Sequence, residues 1–108
     1  MDFDALLQEA NRYESRLREH RRALHRIPEL GYEEHETHAY LMEHLRALAP
    51  DDLKVFAQTG IRAVFRGDGT GRVVAFRSDI DALPISEATG RDFASCHAGR
   101  MHACGHDG

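Results

Sequence analysis

Val73-Val74-Ala75-Phe76-Arg77-Ser78-Asp79-Ile80-Asp81-Ala82-Leu83-Pro84 is the stretch on which the fold class turns. A continuous apolar run with two β-branched residues suits an interior strand buried on both faces. The run leads straight into two carboxylates, Asp79 and Asp81, at i and i+2. Extended backbone points such a pair the same way. Carboxylates where a sheet's strands end can ligate a metal or orient a ligating histidine. Read alone, the segment fits solvated strand-end carboxylates better, with Arg77 pairing one of them.

Upstream of this stretch, Gly67-Asp68-Gly69-Thr70-Gly71 reads as a hairpin loop, preceded by a strand over Ile61 to Arg66 with Ile61, Ala63 and Phe65 on one face. Leu53 to Phe56 is a weaker strand. Before it the pattern is helical. Asp4 to Ile27 reads as one amphipathic helix with Leu6, Ala10, Tyr13, Leu17, His20 and Leu24 on one face, and Asp4 is its expected N-cap. Pro28 ends it and Gly31 supplies a turn. A second helix is expected from about Glu34 to Leu48, on the stripe Leu41, Leu45 and Leu48, stopped by Pro50. The fold class is therefore α/β: two N-terminal helices packed on a small β-sheet. Residues 86–103 read as loop.

Downstream, Met101-His102-Ala103-Cys104-Gly105-His106-Asp107-Gly108 places a thiol and an imidazole two residues apart. Both can turn toward one ion if the backbone between them folds tightly, which Gly105 permits. Two ligands do not complete a metal site, since zinc takes four, or three from protein at a catalytic site. The expectation is half of a site, with the chain a piece of a larger catalytic unit. Asp107 suits either support of the neighbouring ligand or a loop-end turn.

Bulk properties exclude several classes. A net charge of −4 gives no global attraction to nucleic acid or anionic membrane. No window approaches the roughly 20 apolar residues of a membrane span. Met1-Asp2-Phe3-Asp4 lacks the basic start of a secretory signal, so the cytosol is expected, with Cys96 and Cys104 reduced or metal-bound rather than disulfide-bonded. The arginines from Arg16 to Arg26 are interleaved with Glu14, Glu19 and the apolar stripe, as on a solvated helix face. Cys96, His97 and His102 tempt one to build a four-ligand module with Cys104 and His106. The Cys96–Cys104 spacing is not that of a zinc finger or ribbon, and Cys96 and His97 read as loop residues. His25, His35, His38 and His44 lie on helices and read as surface or partly packed residues without catalytic duty.

Taken in order, Leu24-His25-Arg26-Ile27-Pro28-Glu29-Leu30-Gly31-Tyr32-Glu33-Glu34, Thr59-Gly60-Ile61, Arg77 to Pro84 and Met101 to Gly108 resemble the N-terminal part of a family of metal-dependent amidohydrolases. That family includes hippurate hydrolases, N-acyl-amino-acid amidohydrolases and auxin-conjugate hydrolases, within the aminoacylase and carboxypeptidase superfamily. The resemblance implies that residues 1–108 are the N-terminal part of a catalytic domain, incomplete, with the family's lid domain absent. It implies two divalent metal ions, zinc or manganese, in the complete enzyme, and a small N-acyl amino acid as substrate, with neither nucleic acid nor membrane as partner. A homo-oligomer is allowed at full length. By the same resemblance Cys104 and His106 match metal ligands. Asp81 matches the carboxylate behind the metal centre. Asp79 stands where other branches carry a ligand histidine, so the resemblance assigns it no definite role. The family's glutamate base and further ligands fall at positions beyond residue 108, so the 108-residue chain is expected to be inactive alone. Two other readings make different predictions. A small structural zinc module would bind metal tightly by itself. A non-catalytic interaction fragment would present its helices to a partner and ignore metal.

Overall fold

Asp2 begins the helical part of the chain. In the computed structural model, which describes residues 1–107, its Oδ1 accepts the backbone N–H groups of Asp4 and Ala5, each at 3.1 Å. Two orphan donors of the helix end are thereby satisfied. The cap is Asp2 and not Asp4, which lies inside the first turn, where its charge complements the helix dipole.

Helix α1 spans Phe3–Asn11 and α2 spans Glu14–His25. The single helix expected from Asp4 to Ile27 is thus broken at Arg12 and Tyr13. There the N–H groups of Arg12 and Tyr13 reach back three residues, to the carbonyls of Glu9 and Ala10 at 3.1 and 3.0 Å. Neither proline nor glycine marks the break. α1 buries none of its residues, and Leu6 and Leu17 of the expected stripe are exposed. Without a packing partner, nothing enforces one continuous helix.

Helix α3 spans His35–Ala47, within a residue of the expected bounds at each end. It is capped from outside its own sequence. The buried Glu29 carboxylate accepts the N–H groups of Glu36 at 3.1 Å and Thr37 at 2.7 Å. Burial alone would raise the Glu29 pKa; the hydrogen bonds from Thr37 and Glu36 outweigh it and hold the carboxyl below its ordinary value. α2 and α3 meet at His20, whose Nδ1 lies 2.7 Å from the Tyr40 hydroxyl and whose ring sits 4.6 Å from that of His44.

Strands β1 (Asp52–Phe56) and β2 (Gly60–Val64) pair antiparallel, with Phe56 opposite Gly60. The hairpin turn is therefore Ala57-Gln58-Thr59, with Ala57 and Gln58 in the left-handed region at φ 46° and 69°. The expected hairpin loop at Gly67–Gly71 is not one, because the strand it should lead into does not form. Gly60 has no room for a side chain: a Cβ there would stand 2.9 Å from the Phe56 carbonyl oxygen. The buried Thr59 fastens the turn to α3. Its hydroxyl donates to the buried Glu34 carboxylate at 2.6 Å, and its carbonyl lies 2.8 Å from His38 Nδ1.

Val73-Val74-Ala75-Phe76 is not an interior strand. Among the described residues the sheet consists of β1 and β2, and residues 72–78 pair with neither. Val73 and Phe76 are each 97% exposed. A strand needs a neighbour's N–H and C=O groups as much as an apolar side chain needs cover, and here neither is supplied. Few residues are fully buried; Pro28, Met42 and Ala82 are the apolar ones. The radius of gyration, 16.0 Å, exceeds the roughly 13 Å of a compact domain of this length. The architecture is α/β, with three helices in place of the two expected.

Residues 86–103 carry little regular structure, as expected, and specific contacts anchor them to the helices. The Cys96 N–H donates to the Arg26 carbonyl at 2.8 Å, His97 Nε2 lies 2.9 Å from Glu36, and the Arg22 guanidinium stacks 4.7 Å over the Phe93 ring. The polar surface of residues 22–36 supplies these anchors, so the loop needs no apolar core of its own.

Candidate metal centre

Two backbone hydrogen bonds bring the two sequence motifs together. Leu83 and Met101 exchange N–H···O=C bonds at 3.0 Å in each direction, an isolated antiparallel bridge. The Ala82 N–H, next to it, donates to the Glu29 carbonyl at 2.7 Å. The acidic segment before Leu83 and the Cys-Gly-His segment after Met101 are thus set side by side, on a platform that starts at Pro28 and Glu29.

Between them and the helices lies a cavity of about 520 Å³, lined by Asp79, Asp81, Cys104 and His106 with Leu24 and Leu41 behind. All four sequence-singled residues face one space. Gly105, at φ 83°, takes the left-handed conformation that the tight Cys104–His106 turn requires. Cys104 and His106 are exposed. His106 Nδ1 stands 3.7 Å from Asp79 Oδ2, while the other oxygen of Asp79 pairs with Arg77 at 2.7 Å. The pairing of Arg77 with an aspartate is as expected.

A thiol, an imidazole and carboxylates around one cavity form a donor set suited to a divalent metal of intermediate softness. Among the described residues no group of three or more His, Cys, Asp or Glu side chains is already closed around a point. The self-sufficient zinc module would need four converged ligands. Cys96 and Cys104 are both free thiols.

Behind the cavity lies a cluster the sequence reading passed over. His25, read as a surface or partly packed residue, is buried, with its side chain 6% exposed. Its Nε2 lies 2.8 Å from the Glu87 carboxylate, and its Nδ1 stands 3.5 Å from Asp107 Oδ2. The Thr89 hydroxyl, helped by the Ser95 N–H and His25, holds the Glu87 carboxyl below its ordinary range against its burial. His102 sits alongside. Burial pushes its imidazole below the ordinary value, with the charges of Asp107 and Asp81 pulling the other way. The signal for His25 was its place in the quoted Leu24-to-Glu34 motif, where it precedes the buried Pro28 and Glu29.

With this geometry in view, the comparisons with known proteins define a class. Residues 75–108 match the sequence model of Peptidase family M20/M25/M40. That match takes in both the acidic motif and the Cys-Gly-His motif. The chain's particular relatives are bacterial. It is 50% identical over 91 residues to an N-acetyldiaminopimelate deacetylase of Streptococcus gordonii, a match covering 81% of this chain and 24% of that protein. With the deacetylase of the same name from Halalkalibacterium halodurans it shares 53% over 88 residues, at the same coverage. Among solved structures it superposes on the Bacillus subtilis YXEP protein, described as a dinuclear metal binding peptidase from the M20 family. The TM-score is 0.81 and the identity 41%, covering 90% of this chain and 28% of that one. A putative aminohydrolase from methicillin-resistant Staphylococcus aureus superposes equally well, at TM-score 0.81 and 40% identity, over 94% of this chain and 27% of that one. The chain spans about a quarter of the length of the curated relatives it matches.

Proposed function

We propose that residues 1–108 supply the N-terminal part of the catalytic domain of a metal-dependent amidohydrolase that cleaves the amide bond of N-acyl amino acids. The observation that carries this reading is the convergence of Asp79, Asp81, Cys104 and His106 on one cavity through the Leu83–Met101 bridge. Cys104, as thiolate, and His106 would hold metal, two ions being present in the complete centre by analogy with the dinuclear relative. The bound metal would lower the pKa of water and polarise the substrate carbonyl. Asp81 would orient the ligand set from behind, its carboxylate lining the same cavity as both ligands. In the overall reaction water adds to the acyl carbon, the C–N bond breaks, and the amine departs with a proton, leaving an amino acid and a carboxylate.

The deacetylase relatives favour a small acyl group such as acetyl over the benzoyl group of hippurate. The further ligands and the proton-transferring base lie outside residues 1–108 on this reading, as does the lid domain. The test is a chimera in which residues 1–108 replace the corresponding part of the Bacillus subtilis protein. Amino acid release from N-acetyl substrates is expected, faster than from N-benzoylglycine, and Asp81→Asn and Cys104→Ser chimeras should be inactive. A folded, metal-loaded chimera without turnover would overturn the reading.

A further inference from the structure

The geometry points to His25, the last residue of α2, and Arg21, one turn before it, as positioning residues that clamp the metal-ligand loop through Asp107. The inference rests on the reading of Cys104 and His106 as ligands. Arg21 and His25 are four residues apart on α2 and so share a face. Both reach the same atom: Asp107 Oδ2 stands 3.4 Å from Arg21 Nη2 and 3.5 Å from His25 Nδ1. His25 Nδ1 and Asp107 Oδ2 are buried, and each lacks a hydrogen-bond partner. Two buried polar atoms that face each other unsatisfied are costly unless a small closure joins them, here a ring with both nitrogens protonated donating one N–H to Glu87 and the other to Asp107.

The other side of the ring is already fixed. Glu87, its side chain 4% exposed, receives His25 Nε2 at 2.8 Å. A ring held from one nitrogen has a set direction for the other, as with the outer partners that orient ligating groups in metal sites. Asp107 directly follows His106, so holding its carboxylate fixes the backbone that carries the ligand. The clamp lets α2 set where the exposed Cys104–His106 turn sits, which its own contacts do not.

The test uses the 108-residue chain with cobalt(II) as probe. Thiolate-to-cobalt absorption reports Cys104, and amide exchange of residues 104–107 is measured without metal. Asp107→Asn, His25→Gln and Arg21→Gln should each weaken cobalt binding by roughly ten- to a hundredfold. The His25→Gln/Asp107→Asn double variant should lose no more than the worse single, since both remove one interaction. Arg18→Gln, one turn back, should bind as wild type. Arg21 is partly exposed, so its variant reads the clamp even if His25→Gln fails to fold. In the metal-free chain each clamp variant should speed exchange at residues 104–107. Additive losses, or unchanged exchange in Arg21→Gln, overturn the clamp. Absence of the thiolate band in wild type overturns the ligand reading instead, and the metal-free exchange still decides the clamp.

Discussion

The Glu29 carboxylate accepts the Thr37 backbone N–H at 2.7 Å across eight residues, starting α3 with a side chain borrowed from the preceding turn. The Glu29 carbonyl also receives the Ala82 N–H. One residue thus caps a helix and carries the platform under the candidate site.

Glu29→Ala should therefore lower stability by about 1–3 kcal/mol, because two helix N–H groups lose their acceptor in a buried place. The folded-state carboxyl sits below its ordinary value of 4.5. The stabilisation is fully present above that value and is lost as pH falls through the lowered one. Urea midpoints measured from pH 6 downward should fall below about pH 4.5, and less steeply in Glu29→Gln. Equal slopes would show that Glu29 is not the titrating group.

Thr59→Val keeps shape and removes the hydroxyl that donates to Glu34 at 2.6 Å. A buried carboxylate without its donor should cost about 1–3 kcal/mol. The loss should appear as faster amide exchange in β1, β2 and the first turn of α3 together. Loss confined to the hairpin would show that Glu34 does not join the two.

Much of this scaffold was legible in sequence, because its signals are local. The 41/45/48 stripe bounded α3, and the alternation from Ile61 gave β2. What failed depended on partners distant in the chain. Val73-Val74-Ala75-Phe76 has a buried strand's composition, but composition does not supply the adjoining strand. The helix break at Arg12–Tyr13 has no breaker residue and follows from α1 lacking a surface to pack on. Asp79, Asp81, Cys104 and His106 line one cavity, brought there by a backbone bridge between Leu83 and Met101 that no local signal announces. The Leu24-to-Glu34 motif marked His25, but the partner that fixes its ring was not readable, because Glu87 lies 62 positions away.

Metal binding by the 108-residue chain should be weak and should depend on Cys104 and His106 but not on Cys96. Cys96 is held by its backbone to Arg26, while Cys104 lines the cavity. Zinc calorimetry should lose its signal in Cys104→Ser and keep it in Cys96→Ser. Equal loss in both would restore the four-ligand module.

Val73, Val74 and Phe76, at 97%, 72% and 97% exposure, form an apolar ribbon whose backbone pairs with no strand among the described residues. Such a segment invites edge pairing. The chain should self-associate in sedimentation at micromolar concentration, and Val73→Lys/Phe76→Lys should return it to monomer. A monodisperse wild-type chain would refute this.

The Leu83–Met101 bridge fastens the two ends of the intervening segment by main-chain atoms alone. The bridge itself makes no use of the segment's side chains, which anchor the segment elsewhere, through Glu87, Phe93 and His97. Gly90, at φ 69° with open space where a Cβ would stand, lies within that segment. Doubling a flexible loop costs only about 0.6 kcal/mol in closure entropy. New sequence could be spliced in at Gly90 while the acidic motif and the Cys-Gly-His turn keep their separation. Loop length could thus vary at this point without the cavity-lining residues having to change.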